Sequence, residues 1–328
     1  MLLLICSYNI ITWIIIKVNN LKEARQTVRE DSPLVFPLDF AAFISYNIII
    51  NYRVKINISM IRIKEVTMKK TVALLVAFVM LFTIVSCTRG EVDNTISFDN
   101  KNSKIIAHRG LSGLEIENTE EAFSAAGERS YYGIEADVRK TGDGQFIICH
   151  DKTLTRISKS NLNVEKSTLE ELLEVTLSVA GKNGEGKLCE LSTYISICKA
   201  YEKHAILELK SDFNEQDIGR IIDIVSSYDY LENTTFISFN YTNLEYVRKI
   251  LPSQSAQYLF SKIDDEIIDR LIADKVDVAI SYKILTEDYL RLFHDAGLRV
   301  NCWTVDDVEI AERLASLGVD YITTNILE

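Results

Sequence analysis

Residues 105–328 predict an α/β fold, a (β/α)8 barrel of the TIM class, with the eighth outer helix missing or replaced. Three observations carry this. Eight short strand-like runs alternate with amphipathic helical patterns. The polar residues able to do chemistry gather at the C-terminal ends of those runs, where such barrels place their sites. An open doubly wound sheet usually needs fewer strands and a glycine-rich loop after the first, and His108-Arg109-Gly110 supplies no such loop.

The first run, Ile105–Arg109, delivers His108 and Arg109 and is followed by Gly110. Glu117, Asn118 and Thr119 precede a helical pattern that ends near Gly127 to Ser130, with Thr119 placed to cap it. The second run, Ile134–Arg139, carries Glu135 and Asp137 two residues apart, so both carboxylates leave the same face. Gly142-Asp143-Gly144 signals a hairpin into Phe146 to Cys149, which ends at His150.

The stretch from Asp151 to His204 is long. It predicts a helix from Thr168 to Val175, capped by Ser167 or Thr168 with Glu170 and Glu171 in its first turn. A loop over Gly181 to Gly186 and a helix over Leu191 to Lys203 follow. The stretch can shape a pocket rim but is too short for a second domain with its own core.

The third run, Ala205–Lys210, presents Glu208 and Lys210 on one face. Thr235–Asn240, Ala256–Phe260, Val276–Ser281, Val300–Thr304 and Tyr321–Thr324 complete the eight. Helical patterns over Gln216–Ser227, Thr242–Ile250, Asp264–Ala273, Glu287–Ala296 and Asp306–Leu317 separate them. Since Glu328 comes just after the eighth strand, either the Glu91–Lys104 tether or the second-to-third-strand insertion is expected to cover part of the gap.

Upstream of the barrel the chain reads differently. Leu2 to Val18 is almost wholly apolar, at the short limit of ~17 residues for a spanning helix. Met68-Lys69-Lys70, the apolar stretch Thr71 to Val85 and Ile84-Val85-Ser86-Cys87 make a complete bacterial lipoprotein signal beginning at an internal methionine. An ordinary membrane anchor is the plainer alternative, but the cysteine after Ser86 and the polar Thr88-Arg89-Gly90 favour cleavage and lipidation at Cys87. On that reading residues 1–67 are an upstream extension absent from the mature protein, 68–87 the signal, and 88–104 a polar tether. The protein is then expected to be exported and membrane-anchored, facing the periplasm or cell exterior.

Bulk properties exclude some functions. A net charge of −11 argues against a nucleic-acid partner. It leaves a phosphate-bearing small substrate open, because a bound cation inverts the local field. The six cysteines show no zinc spacing. Cys149, Cys189, Cys198 and Cys302 lie in or beside apolar runs and read as buried free thiols.

At the predicted barrel mouth, Glu135, Asp137 and Glu208 form an oxygen-rich set suited to a hard divalent cation, Mg²⁺ or Ca²⁺. The alternative is an ion-pair network in which Arg109, Arg139 and Lys210 neutralise the acids. Two histidines flanking a metal can act as base and acid in phosphodiester cleavage, with Arg109 and Lys210 offsetting developing charge. Trp303 ends the seventh run at the same rim. His204 enters the third strand at the opposite end, and His294 lies on a helix; both read as structural or solvated.

The run HRG, then ENT, then EADVRKTGDGQFIICHD, with LELK, ISFN, WTV and GVDYITTN following in order, resembles the glycerophosphodiester phosphodiesterases. The resemblance spans roughly Lys104 to Asn325. It implies a barrel of the phosphatidylinositol-phospholipase-C-like type that hydrolyses glycerophosphodiesters to an alcohol and glycerol 3-phosphate with a divalent cation. Carried over position by position, it implies that His108 and His150 are the acid/base pair and that Glu135, Asp137 and Glu208 are the metal ligands. Arg109 and Lys210 would contact phosphate, Trp303 would wall the glycerol or headgroup, and Glu117 and Asn118 would order the loop after the first strand.

Two departures stand out. Asn325 replaces the family's usual Asp, and Cys189-Glu190-Leu191 replaces a common Pro-Thr-Leu. Two other readings use related residues: a phospholipase-D-like activity on lysophospholipids or sphingomyelin, and a non-catalytic lipid-anchored barrel that binds phosphorylated ligands. An apolar trough at the mouth would favour the first of these, and a lost histidine or metal carboxylate the second.

Overall fold

Strand β1 (Lys104–Ala107) lies between the second and the last strands of a closed parallel ring. The ring runs β1, β2 (Gly133–Lys140), β5 (His204–Leu209), β6 (Thr234–Ser238), β7 (Ala256–Phe260), β8 (Asp277–Ser281), β9 (Val300–Trp303) and β10 (Tyr321–Thr324). β1 pairs in parallel with both β10 and β2, which closes the barrel. The structure is a computed structural model and describes residues 95–328. The upstream residues 1–67, the 68–87 signal with Cys87 and the first part of the tether lie outside the described residues. Among the described residues, no helix is long and apolar enough to cross a membrane.

The eight barrel strands are those predicted, with ends shifted by at most two residues. β1 stops before His108 because Arg109 and Gly110 take left-handed backbone that cannot continue a strand. β6 stops at Ser238 because Asn240 caps the next helix, its side chain accepting from Thr242 N–H.

Helices α1 (Glu120–Gly127), α2 (Leu169–Glu174), α3 (Leu191–Ala200), α4 (Glu215–Ser227), α5 (Tyr241–Ile250), α6 (Asp265–Asp274), α7 (Glu287–Asp295) and α8 (Val308–Leu317) follow in chain order. Thr119 caps α1 as predicted, and Thr168 with Glu171 forms a capping box on α2. The outward faces of the strands and the inward faces of the helices share one apolar layer, with Phe123, Tyr194, Phe236 and Phe293 fully covered. The four predicted buried cysteines are free and buried.

Among the described residues, those after β10, 326–328, pair with the tether. Ile96 N–H donates to the Ile326 carbonyl, and Glu328 N–H to that of Ile96. This pair spans the flanking helices: Asp99 N–H donates to Glu312 on α8, and Glu328 accepts from Ser130 N–H beyond α1. Leu327 is fully buried there. The tether, rather than the insertion, covers the gap.

Between β2 and β5 the insertion adds β3 (Phe146–Ile148) and a two-residue strand β4 (Cys189–Glu190), both antiparallel to their neighbours. Ile147, Leu154, Ile157, Val164, Leu172 and Leu177 give it a small satellite core. Inside the barrel, Ile106, Ile206, Ile237, Leu259, Ala279 and Tyr321 fill the space beneath the mouth. His204 lies at the far end, its ring stacked on Tyr132 and bonded to Thr235, and His294 on α7 pairs with Asp320. Neither histidine approaches the mouth.

Candidate active site

The site begins where β1 ends. Arg109 and Gly110 adopt φ of 58° and 73°. A Cβ at Gly110 would sit 2.6 Å from the Ala122 carbonyl carbon, so this turn accepts only glycine. Arg109 holds a conformation uncommon for a residue with a side chain, and strain of that kind gathers at functional sites. It aims the Arg109 N–H at Glu135 Oε2, 2.8 Å away. The guanidinium donates from Nη1 to Glu117 Oε1 at 2.9 Å and places Nε 3.3 Å from Asp137 Oδ2.

Strand parity brings the acids together. In the β2–β5 register Asp137 lies beside Glu208, and Glu135 precedes them on the same face. Oxygens of Glu135, Asp137 and Glu208 lie within 4.8 Å of one another. Asn118, itself at positive φ, donates Nδ2 to Asp137 Oδ2 at 2.8 Å. Lys210 Nζ lies 2.9 Å from Glu208 Oε1 and 3.7 Å from Asp137 Oδ1.

Three buried carboxylates thus face only two cations. Arg139 does not help: it donates to the carbonyl of His150 at 2.9 and 2.6 Å and pairs with Glu165. Glu135 Oε1 and Asp137 Oδ1 are buried with no hydrogen-bond partner. Burial, then repulsion from Asp137, pushes the Glu135 pKa well above the usual carboxylate range and that of Glu208 to about 8. Burial would raise Asp137 as well, but the Arg109 and Lys210 cations hold it low. Buried charge left unpaired is costly, and orphaned carboxylate oxygens in a cluster are what a hard cation satisfies. The donor set therefore fits a divalent metal better than a closed ion-pair network.

The two histidines stand on either side. His108, partly exposed at the mouth, places Nδ1 2.8 Å from Asn325 Oδ1. Burial of its ring and the neighbouring Arg109 charge push its pKa down to about 4. His150 Nδ1 lies 2.7 Å from Asp151 Oδ1; burial lowers this ring too, opposed by Asp137 and Asp151. Asp151 accepts from Arg156 Nε at 2.6 Å, and Arg156 donates its other nitrogens to Glu117 at 2.5 and 2.8 Å. A charged chain Arg109–Glu117–Arg156–Asp151–His150 therefore rims the mouth.

A cavity of about 150 Å³ opens among His108, Arg109, Glu135, His150, Glu208 and Lys210. Trp303 walls it, with Phe239 edge-on at 5.5 Å and 46% exposed at the lip. A shallower groove of about 600 Å³ shares His108 and Arg109 and runs toward Arg156, Lys182 and Asp306.

The sequence-predicted residues His108, His150, Arg109, Lys210, Trp303, Glu135 and Glu208 all line the one cavity, with Asp137 fully buried beside them. Glu117 and Asn118 brace it from the β1–α1 loop. Sequence reasoning missed Arg156, Asp151 and Phe239. Asp151 follows His150 directly, and Phe239 sits in the ISFN run; Arg156 gave no signal, because its partner Glu117 is 39 residues away.

A model of the glycerophosphoryl diester phosphodiesterase family matches residues 108–328. The chain belongs to that family. It is accordingly a phosphoric diester hydrolase, and its barrel is the family's barrel. A glycerophosphodiester phosphodiesterase of Caldanaerobacter subterraneus is 28% identical over 226 residues, which cover 67% of this chain and 93% of the relative. The solved structure of an Oleispira antarctica phosphodiesterase in complex with the product sn-glycerol 3-phosphate is similar at 25% identity and a TM-score of 0.63. That match covers 70% of this chain and 96% of the other. A glycerophosphodiester phosphodiesterase from Parabacteroides distasonis is 27% identical with a TM-score of 0.57, covering 68% of this chain and 93% of its own.

Proposed function

We propose that this phosphodiesterase hydrolyses glycerophosphodiesters to an alcohol and glycerol 3-phosphate by two-histidine acid/base catalysis at a divalent-cation site. One observation carries the reading: both imidazoles, two cations and carboxylates of the acidic cluster line the same 150 Å³ cavity. Glu135, Asp137 and Glu208 would hold the cation, Mg²⁺ or Ca²⁺. Once bound, the cation supplies Lewis-acid charge stabilisation to the phosphoryl oxygens. Arg109 and Lys210 add positive charge at the same place and orient the phosphate. One histidine removes a proton from the attacking hydroxyl, either water or the substrate's own glycerol 2-hydroxyl, and the other protonates the leaving alcohol. Trp303, with Phe239, walls the glycerol side.

The cavity's small volume of about 150 Å³, with the charged cluster on one side and Ile237, Leu259 and Trp303 on the other, favours a glycerol phosphate moiety over an acyl chain, which would need a longer trough. The presence of both histidines and all three carboxylates favours catalysis over ligand binding alone. We further propose export and anchoring through lipidated Cys87, which puts hydrolysis outside the cytoplasm. Mass spectrometry of the mature N-terminus tests that statement: an unmodified or uncleaved Cys87 would end it.

The test of the activity is a substrate panel of glycerophosphocholine, glycerophosphoethanolamine, glycerophosphoinositol and a lysophospholipid, assayed with Mg²⁺, Ca²⁺ and chelator. Release of glycerol 3-phosphate that chelator stops and a divalent cation restores supports the proposal. Turnover of the lysophospholipid alone, or full activity in chelator, overturns it.

A further inference from the structure

The cavity and the shallower groove meet at His108 and Arg109, which line both. A phosphodiester has two arms, and its phosphorus belongs beside these two residues. With glycerol in the cavity against Trp303, the second ester oxygen and its alcohol are directed into the groove. At about 600 Å³ against about 150 Å³, the groove takes the bulkier arm.

Its chemistry is one-sided. The cations lining the groove are Arg109, Arg156 and Lys182, and the acids are Glu117 and Asp306. Both acids are already filled. Glu117 accepts from Arg109 at 2.9 Å and from Arg156 at 2.5 and 2.8 Å. Asp306 accepts from the Asn325 N–H at 2.7 Å, from Asn325 Nδ2 at 2.6 Å and from Thr324 Oγ1 at 3.0 Å. Among the described residues no aromatic ring lines the groove, so a quaternary ammonium meets neither a free carboxylate nor a π face.

Donors are what remain. Lys182 Nζ donates to the carbonyls of Ser112 at 2.5 Å and Gly113 at 2.9 Å, which fixes the ammonium at the wall and leaves one of its protons to spare. Arg156 engages each of its three nitrogens once, with Asp151 and Glu117, and so keeps two N–H groups in hand. The loop that carries Lys182 is latched in turn: the Asn183 N–H donates to the Leu114 carbonyl at 3.1 Å and its Nδ2 to Glu115 Oε1 at 2.8 Å. Val179 and Ile326 add carbon surface for the C–H face of a ring.

We propose that this groove is the alcohol subsite of the phosphodiesterase, and that Lys182, with Arg156, selects a hydroxyl-rich or anionic headgroup over a cationic one. The inference rests on the glycerophosphodiester reading above and narrows its substrate to esters of polyols. Hydroxyl oxygens accept from Lys182 and Arg156, whereas the ammonium of choline or ethanolamine is set against like charge.

The test measures kcat/KM of the full chain, with divalent cation, on glycerophosphoinositol, glycerophosphoglycerol, glycerophosphocholine and glycerophosphoethanolamine. The two polyol esters should lead the two ammonium esters by about 10-fold or more, chiefly through KM. Lys182→Glu reverses the charge and should bring that ratio to unity or below, an effect that a purely structural lysine would not produce, since its loss would slow all four substrates alike. Asn183→Ala loosens the same loop but spares the ammonium, and should keep the ratio. Equal or better turnover of the ammonium esters by the wild type, or a ratio that survives Lys182→Glu, overturns the proposal. A ratio lost as fully in Asn183→Ala would assign it to the loop and overturn the role of the charge. If none of the four esters releases glycerol 3-phosphate, the phosphodiesterase reading itself fails; if all four are hydrolysed alike, that reading stands and this one falls.

Discussion

Lys210 Nζ lies 2.9 Å from Glu208 Oε1, and the pair sits beside the buried Asp137 carboxylate. One ammonium cannot neutralise both acids. Burial, followed by Asp137, lifts the Glu208 pKa to about 8, so the metal-free fold takes up a proton there that the unfolded chain would not hold. A raised folded-state pKa gives stability that is complete below the unfolded value of about 4.5 and lost as pH climbs through about 8. Thermal melts of the chelated protein should therefore fall in Tm across that window, and Glu208→Gln should flatten the fall. Added Mg²⁺ or Ca²⁺ should reverse the trend, since the cation needs the deprotonated acids. Parallel melts with and without cation would refute a metal at this cluster.

Replacing either imaginable proton carrier tests the catalytic pair directly. His108→Ala and His150→Ala should each lower kcat by at least about 100-fold, the usual contribution of a positioned acid or base. Neither ring is part of the apolar core, so both variants should melt close to the wild type. The double variant should lose little more than the worse single one, because the two groups serve one step. Near-normal rates in both single variants would remove the proposal.

How much of this was legible beforehand follows from chain geometry. The spacing of Glu135 and Asp137, and of Glu208 and Lys210, reports a shared face because strand side chains alternate strictly, and the structure keeps that parity. His108 was legible as the end of an apolar run. The turn at Arg109 was not, since nothing in the residue itself requires φ of 58°. In the sequence Asn325 stands out only as a departure from the family pattern; its contact with His108 joins residues 217 apart, a distance no local pattern spans. The insertion's β4 is two residues long and carries no period at all.

Gly110 offers a test of the site's architecture rather than its chemistry. Gly110→Ala must place a methyl group 2.6 Å from the Ala122 carbonyl carbon while holding φ of 73°. Strain of this kind costs about 1–3 kcal/mol, and the turn that aims Arg109 at Glu135 must shift to relieve it. The variant should show a lower Tm together with weaker cation binding by calorimetry. Unchanged melting and affinity would mean that the turn adapts freely.

Arg156 joins the two halves of the rim, donating to Asp151 behind His150 and to Glu117 beside Arg109. Its side chain is 47% exposed, so solvent screens these pairs and they contribute only about 0–1 kcal/mol to stability. Their consequence is orientation. Arg156→Met frees Asp151 to swing and relaxes the guanidinium of Arg109, and small misplacements of reacting groups are expensive in rate. Turnover should fall about 10-fold with Tm almost unmoved, and Asp151→Asn should lower the His150 pKa further by removing the negative charge that now opposes its burial. A pH–rate profile of that second variant measures the shift, which must be downward for Asp151 to support the imidazolium. An unchanged rate in Arg156→Met would mean that the remaining partners, Arg139 and Asp151 for His150 and Glu117, Glu135 and Asp137 for Arg109, hold these groups without it.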